Sequence, residues 1–166
     1  MTRQSLALTV GDQLESRTIG PITQTDIVRF AGAGGDFNPL HHDAAHAQRA
    51  GLPGVISMGQ MQAGMLAAFV TDSVRVEHLQ SFGVRFAGPL KIGDTLTLSA
   101  TVESVDGGAG TAQLDLAATT PDGTVVTGTA TVAVAGAAAD AGAGAGATTA
   151  PAPADSKRRT VPTDTQ

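Results

Sequence analysis

The chain has 166 residues, 42% of them hydrophobic, and this is enough for one ordinary domain with a core of its own. It contains no cysteine, which excludes disulfides, thiolate nucleophiles and cysteine-based zinc sites and suits a reducing, cytoplasmic location. The formal net charge of −5 argues against nucleic acid as a partner, because a phosphate-binding face needs clustered Lys and Arg.

Three helices are predicted in the first half of the chain. Thr23 and Asp26 have the spacing of a capping box, which opens a helix that Gly32 and Gly34 end. Residues 43–50 form a short polar helix. Residues 55–71 are apolar on nearly all sides, as in a helix that is covered on most faces. This stretch is too short and too interrupted for the roughly 20 apolar residues that cross a bilayer, and the N-terminus has no sustained apolar run. We therefore expect no membrane insertion and no targeting segment.

The second half alternates apolar and polar residues with the two-residue period of strands that have one covered face. The predicted strands are residues 82–86, 95–102, 113–118 and 126–134. The short connectors between them are rich in Gly and Asp, which predicts an antiparallel meander. A buried helix and a sheet that needs covering together predict an α+β fold in which the sheet wraps around the helix.

A composition boundary near residue 135 separates this domain, residues 1–135, from a tail. Residues 136–166 are low in complexity and rich in Ala, Gly, Pro and Thr, so we expect them to be disordered. The basic run at residues 157–159 is interpreted as a solubilising end of that tail, with a docking patch as the alternative.

Residues 31–46 hold three of the four histidines, together with two Asp and one Asn. Asp36 and His41 lie on a loop that Pro39 stiffens, so both side chains can turn to one point. A carboxylate and an imidazole that share one water form a general acid–base pair. On composition alone, a turn stabilised by Asp36, Asn38 and Pro39 is an equally good interpretation. His42 and His46, spaced i and i+4, suggest a metal site. No clear third ligand accompanies them, so we expect that the chain binds no metal here.

The segment Gly-Asp-Phe-Asn-Pro-Leu-His at residues 35–41 resembles the signature of the MaoC-like (R)-specific enoyl-thioester hydratases and dehydratases. The resemblance continues at residues 55–59, 82–86 and 93–96 and covers about residues 11–135. It is nearest to the single-domain actinobacterial type, which includes hydroxyacyl-carrier-protein dehydratases of fatty acid elongation.

The resemblance implies a hot-dog fold and a hydro-lyase that interconverts trans-2-enoyl and (R)-3-hydroxyacyl thioesters of CoA or acyl carrier protein. It implies a catalytic role for Asp36 and His41, an oxyanion-binding backbone N–H at Gly59, and a loop-fixing role for Asn38. Members of the family use no metal or redox cofactor. They pair as homodimers or as heterodimers with another hot-dog subunit.

One departure concerns the start of the apolar helix, where the family usually has His-Gly-Met and this chain has Met58-Gly59-Gln60. The glycine is retained, so the departure bears on the acyl group that is accepted. Met58, Met61 and Met65 either line an acyl pocket or fill the core. A hot-dog thioesterase and a non-catalytic subunit of a heterodimeric dehydratase remain as alternatives. Arg75, Arg85 and Lys91 are candidates for contact with CoA phosphates or are ordinary surface charges.

Overall fold

The computed structural model of the chain describes residues 6–135. Within that range the chain forms five strands and three α-helices, and two 3₁₀ turns at Pro39–His41 and Val76–His78. In chain order the elements are β1 (Arg17–Ile19), α1 (Gln24–Gly34), α2 (Ala44–Arg49), α3 (Gly59–Val74), β2 (Leu79–Phe86), β3 (Leu96–Asp106), β4 (Thr111–Thr120) and β5 (Gly123–Ala133). The predicted tail, residues 136–166, lies outside the described residues.

The strands form one antiparallel sheet in the order β1-β3-β4-β5-β2. β3, β4 and β5 are joined by tight turns, as the meander prediction requires. The prediction was wrong for β2, which pairs with β5 and not with its successor β3. Residues 87–95 link β2 to β3 across the end of the sheet. Nine extended residues reach about 30 Å, whereas three strand spacings are about 14 Å, so this link is long enough to cross.

Helix α3 lies on the inner face of the sheet and contacts β2, β3, β4 and β5. Leu66, Phe69 and Val70 of the helix are buried there, against the alternate side chains of β3 such as Leu96 and Leu98. The fold is therefore the predicted α+β arrangement of an antiparallel sheet around a central helix.

Helix α3 differs from its prediction at its start. It begins at Gly59, because residues 55–58 are extended: Ile56 bridges to Lys91, and the Ser57 N–H donates to the Leu90 carbonyl at 2.8 Å. The helix is covered on most faces, as predicted, and leaves one stripe exposed, at Gln60, Gly64, Ala68 and Asp72. Gly and Ala count as apolar but carry little side-chain surface, so exposing them costs little. Among residues 6–135, no helix has the length and apolarity needed to cross a membrane.

Helix α1 ends immediately before the loop of residues 35–41, which carries Asp36 and His41. Its capping box is present: Thr23 Oγ1 accepts from the Asp26 N–H, and Asp26 Oδ2 accepts from the Thr23 N–H at 2.9 Å. The helix ends at Gly34, the second of the two glycines predicted to end it. Gly35 then takes a left-handed conformation, φ 68°, and its N–H bonds to the Ala31 carbonyl. This sharp helix end turns the chain and sets the direction of Asp36.

Candidate active site

The loop after α1 brings Asp36 and His41 together. Asp36 Oδ2 lies 3.6 Å from His41 Nε2, and the two side chains are 41% and 10% exposed. The separation is slightly too long for a direct hydrogen bond. A water oxygen placed beside both atoms can bond to each of them, and the exposed carboxylate leaves this position open from one side.

The buried ring of His41 is fixed by its other nitrogen. His41 Nδ1 lies 2.8 Å from the carbonyl oxygen of Ile56. A carbonyl oxygen only accepts, so we assign the proton of the neutral ring to Nδ1. Nε2 then has a free lone pair that faces Asp36. The arrangement can therefore take a proton at Nε2 from a water held beside the carboxylate.

Asn38 fixes the loop between the two side chains. Its Oδ1 accepts from the Leu40 N–H at 3.0 Å and so caps the 3₁₀ turn that carries His41. Its own N–H lies 3.3 Å from Asp36 Oδ1. The turn interpretation and the acid–base interpretation are thus both compatible with this loop, because Asp36 uses one carboxylate oxygen in the turn and directs the other toward His41.

Two contacts that hold His41 were not found from the sequence. The Gln24 side-chain amide donates to the His41 carbonyl at 3.0 Å, and the Ile56 N–H donates to the Leu40 carbonyl at 3.2 Å. The Ile56 carbonyl described above is a third such anchor. A backbone carbonyl is present at every position, so no residue pattern distinguishes the one that binds a histidine.

Gly59 is the first residue of α3 and lies three residues after Ile56 in the chain. The preceding Met58 is the N-cap residue, and its side chain makes no capping hydrogen bond. Helix N-termini favour negative charge because their N–H groups point outward along the helix dipole. A cleft of about 430 Å³ lies here, lined by Gly59 with Ile56, Ser57, Gln60, Gln62 and residues 86–89. An oxygen that becomes negative can be stabilised at this end of the helix.

A second, more apolar cavity of about 560 Å³ lies between α1 and α3. Its lining includes Ile19, Ile22, Phe30, Met61 and Met65, with Asp26 and Arg29 as its charged members. Met58 and Met61 are almost fully buried, at 2% and 3% exposure, and belong to the core, whereas Met65 is only partly buried. Met61 therefore serves both the core and this cavity, and Met58 serves the core.

The i and i+4 spacing of His42 and His46 does not produce a shared helix face. His42 follows the 3₁₀ turn, Asp43 caps α2, and only His46 lies on that helix. The His42 ring is engaged elsewhere, with Nε2 3.2 Å from the Phe37 carbonyl. Among residues 6–135, no group of three His, Cys, Asp or Glu side chains is arranged to hold a metal ion.

The three cationic candidates lie in different places. Arg75 is 3.0 Å from Glu77, and Lys91 Nζ is 2.5 Å from Asp122 Oδ2. The hydrogen bond to Asp122 and the charge of Asp122 raise the pKa of Lys91, so this pair stabilises the protonated form of the lysine. Arg85 lies on the sheet, in a shallow depression that Asp115 also lines.

Sequence comparison adds family information to this geometry. A family model described as MaoC like domain matches residues 5–121. A UPF0336 protein of Thermobifida fusca is 37% identical over 120 residues, which cover 64% of this chain and 78% of that protein. The 3-hydroxyacyl-thioester dehydratase X of Mycobacterium tuberculosis is 36% identical over 52% of this chain and 30% of its own length. An (R)-specific enoyl-CoA hydratase of Rhodospirillum rubrum is 33% identical over 49% of this chain and 58% of its own length.

Solved structures share the architecture. A chain of the ChsH1-ChsH2 complex from Mycobacterium tuberculosis superposes with a TM-score of 0.70 at 26% identity, covering 77% of this chain and 99% of that chain. The unliganded R-hydratase PhaJ1 from Pseudomonas aeruginosa superposes with a TM-score of 0.68 at 25% identity, covering 77% of this chain and 83% of that chain. The hot-dog fold predicted from the sequence is thereby confirmed.

Proposed function

The chain belongs to the family of MaoC-like domains, and from this premise we propose that it adds water reversibly to trans-2-enoyl thioesters. The products are (R)-3-hydroxyacyl thioesters of CoA or of acyl carrier protein. Two relatives that carry the names hydratase and dehydratase support this reaction class. The observation that carries the proposal is the 3.6 Å approach of Asp36 Oδ2 to His41 Nε2, with Nδ1 of the same ring held by a carbonyl.

In the hydration direction, one water is bound beside Asp36 Oδ2 and His41 Nε2 and contacts both. As its oxygen bonds to C3 of the enoyl group, one of its protons passes to the pair. The electron pair of the C2–C3 double bond shifts toward the thioester oxygen and makes an enolate. C2 then takes a proton from the pair on the same face, and the carbonyl reforms. Atoms and charge balance, and the pair returns to its starting protonation state.

The negative thioester oxygen of this enolate needs a donor that is already in place. We assign that role to the Gly59 N–H at the N-terminus of α3, where the helix dipole favours negative charge. Ile56, whose carbonyl binds His41, precedes Gly59 by only three residues. The short extended segment 56–58 thus joins the proposed proton-transfer group to the proposed oxyanion donor at Gly59.

The apolar cavity between α1 and α3 suits the acyl chain. Helix α1 leads through Gly35 to Asp36, and α3 begins at Gly59, so the cavity lies between the two elements whose ends bear the proposed site. Flexible, polarisable Met61 and Met65 can adapt to chains of different shape.

A second hot-dog subunit is part of the proposal. β2 lies at the edge of the sheet with one side unpaired within the described residues, and its last residue, Phe86, lines the cleft beside Gly59. A sheet edge of eight residues is a ready template for pairing with another chain. One structural relative was solved as a complex of two different proteins. Light scattering of the purified chain, alone and after co-expression with candidate hot-dog partners, tests this; a strictly monomeric mass in every case contradicts it.

The reaction itself is tested with purified protein and a panel of enoyl-CoA esters of increasing chain length. The expected result is loss of the enoyl absorbance without release of free thiol. Release of thiol with unchanged enoyl absorbance instead identifies a thioesterase. Inactivity that is relieved only by a second hot-dog chain bearing its own Asp and His pair identifies a structural subunit.

A further inference from the structure

A buried polar pair lies under the N-terminus of α3. Ser57 and Gln62 are only 3% and 2% exposed, and Gln62 Nε2 donates to Ser57 Oγ at 3.0 Å. The other amide atom, Gln62 Oε1, is buried without a hydrogen-bond partner among the described residues. Flipping the amide would only move the unpaired position to the nitrogen. A buried polar atom without a partner lowers stability, whereas two apolar side chains of similar shape would pack here without that loss. Packing alone therefore does not account for this pair.

The position of the pair relates it to the proposed site. Ser57 directly follows Ile56, whose carbonyl binds His41 Nδ1, and it is two residues before Gly59. Gln62 lies on the first turn of α3, which begins at Gly59. The Ser57–Gln62 bond consequently ties the segment that orients the His41 ring to the helix that presents the Gly59 N–H.

We propose that Ser57 and Gln62 form a positioning pair for the hydration reaction. Their hydrogen bond fixes the Ile56 carbonyl relative to the start of α3. This keeps the proton of His41 on Nδ1 and holds the Gly59 N–H where the thioester oxygen becomes negative. The inference rests on the proposed function for its catalytic meaning, although its structural content, control of the His41 ring, can be measured without any turnover. Ser57 and Gln62 line the cleft at Gly59, but this scheme assigns them no contact with the reacting atoms, and they act through His41 and Gly59.

The test replaces both partners at once, with S57A/Q62L. Removing both polar groups leaves no new unpaired atom, so the double variant should unfold at the same temperature as the parent or higher. Nitrogen-15 NMR of the histidine side chains reports the tautomer, and the His41 signals are identified by their loss in His41→Ala. We expect a single Nδ1–H form in the parent and a mixture of tautomers in S57A/Q62L. We also expect kcat for crotonyl-CoA to fall about 10- to 100-fold, with little change in KM, as for a misplaced reacting group.

Three further variants complete the design. Ser57→Thr keeps the hydroxyl and should retain the parent tautomer, whereas Ser57→Ala should lose it even if the double variant folds poorly. Gln113→Leu is the matched control, because Gln113 accepts a similar 3.0 Å bond from the Thr131 hydroxyl on the sheet. It should leave the His41 signals unchanged.

An unchanged His41 tautomer in the folded variants overturns the positioning role, whatever the turnover. A changed tautomer supports it even if the parent shows no hydration of any enoyl-CoA, a result that would count against the proposed function alone.

Discussion

The ring of Phe86 lies against the backbone of Gly59, so closely that a β-carbon at position 59 would come within 2.9 Å of Phe86 Cε1. Phe86 is about half exposed, so the ring can move aside, and Gly59 has an ordinary helical backbone. Gly59→Ala should therefore fold and keep its N–H, while the displaced ring narrows the cleft. We expect KM for enoyl-CoA to rise on the order of tenfold, more than kcat falls.

The control for this variant is Gly64→Ala on the exposed stripe of the same helix, where an added β-carbon meets nothing within 4 Å. It should leave KM unchanged and stabilise the protein by up to about 1 kcal/mol, because Ala loses less backbone entropy in a helix. Combining Gly59→Ala with Phe86→Ala should restore part of the lost affinity. A single Gly59→Ala variant with the parent KM would contradict the placement of the thioester in this cleft.

Asp36→Asn and His41→Ala should each lower kcat for crotonyl-CoA hydration by about 10²- to 10⁴-fold, the range for loss of a general acid–base group. Circular dichroism should show that both variants remain folded. His46→Ala, on the partly buried side of α2, is the matched histidine control and should keep the parent rate. Full activity in either Asp36→Asn or His41→Ala would rule out the assigned pair.

Asn38→Ala removes the acceptor that caps the 3₁₀ turn carrying His41. Loss of such a cap costs about 1 kcal/mol of unfolding free energy, and the freed turn should also lower kcat. Asn38→Asp, which keeps the acceptor oxygen, should recover most of the stability. Chemical denaturation and steady-state kinetics together check both parts, and equal stability of Asn38→Ala and the parent would exclude this role.

The sequence predicted those parts of the molecule that have a local chemical cause. The alternation of β3, the capping box at Thr23 and Asp26, and the loop that joins Asp36 to His41 all follow from neighbouring side chains. The pairing of β2 with β5 could not be predicted in this way, because strands that are distant in sequence, such as those of Leu79 and its partner Val132, meet only through the tertiary fold.

The start of α3 shows a second limit. Residues 55–58 are apolar enough to extend a helix, but their backbone hydrogen-bonds with Leu90 and forms a β-bridge with Lys91. The Ile56 carbonyl also binds His41. Tertiary hydrogen bonds override local helix preference here. The Ser57–Gln62 pair could not be predicted for the same reason, since both residues look like polar interruptions of one apolar helix until the helix start at Gly59 is known.

Met65 offers a test of the acyl cavity. It is partly buried and lines the space between α1 and α3. Met65→Ala should enlarge that space and raise kcat/KM for longer enoyl-CoA esters relative to crotonyl-CoA, on the order of tenfold. Met61→Ala, at a core position, should instead cost about 2 to 5 kcal/mol of stability. An unaltered chain-length profile in Met65→Ala would place the acyl chain elsewhere.

Asp26 predicts a pH effect on stability. Hydrogen bonds from the Thr23 hydroxyl and N–H lower the pKa of this carboxyl below its ordinary value of 3.8. Because the folded pKa is the lower one, the stabilisation is fully present above pH 3.8 and is lost as the pH falls through the folded pKa. The melting temperature of Asp26→Asn should therefore lie below that of the parent at neutral pH and approach it in acid. A constant difference across the range would contradict this origin.

Because β2 pairs with β5 and not with its successor β3, the parts of the proposed site form in a definite order during synthesis. β2 is synthesised before β3 and β4, yet its partner β5 is the last strand of the domain. The sheet pairing of Phe86, opposite Val126, can form only after this part of β5 has been made. The contacts that the Asp36–His41 loop makes with Gln24 and Ile56 involve residues that are synthesised before β5. A nascent chain would thus form the Asp36–His41 loop early and pair the Phe86 side of the proposed thioester cleft last, so that the two parts of the proposed site are available together only after β5 has joined the sheet.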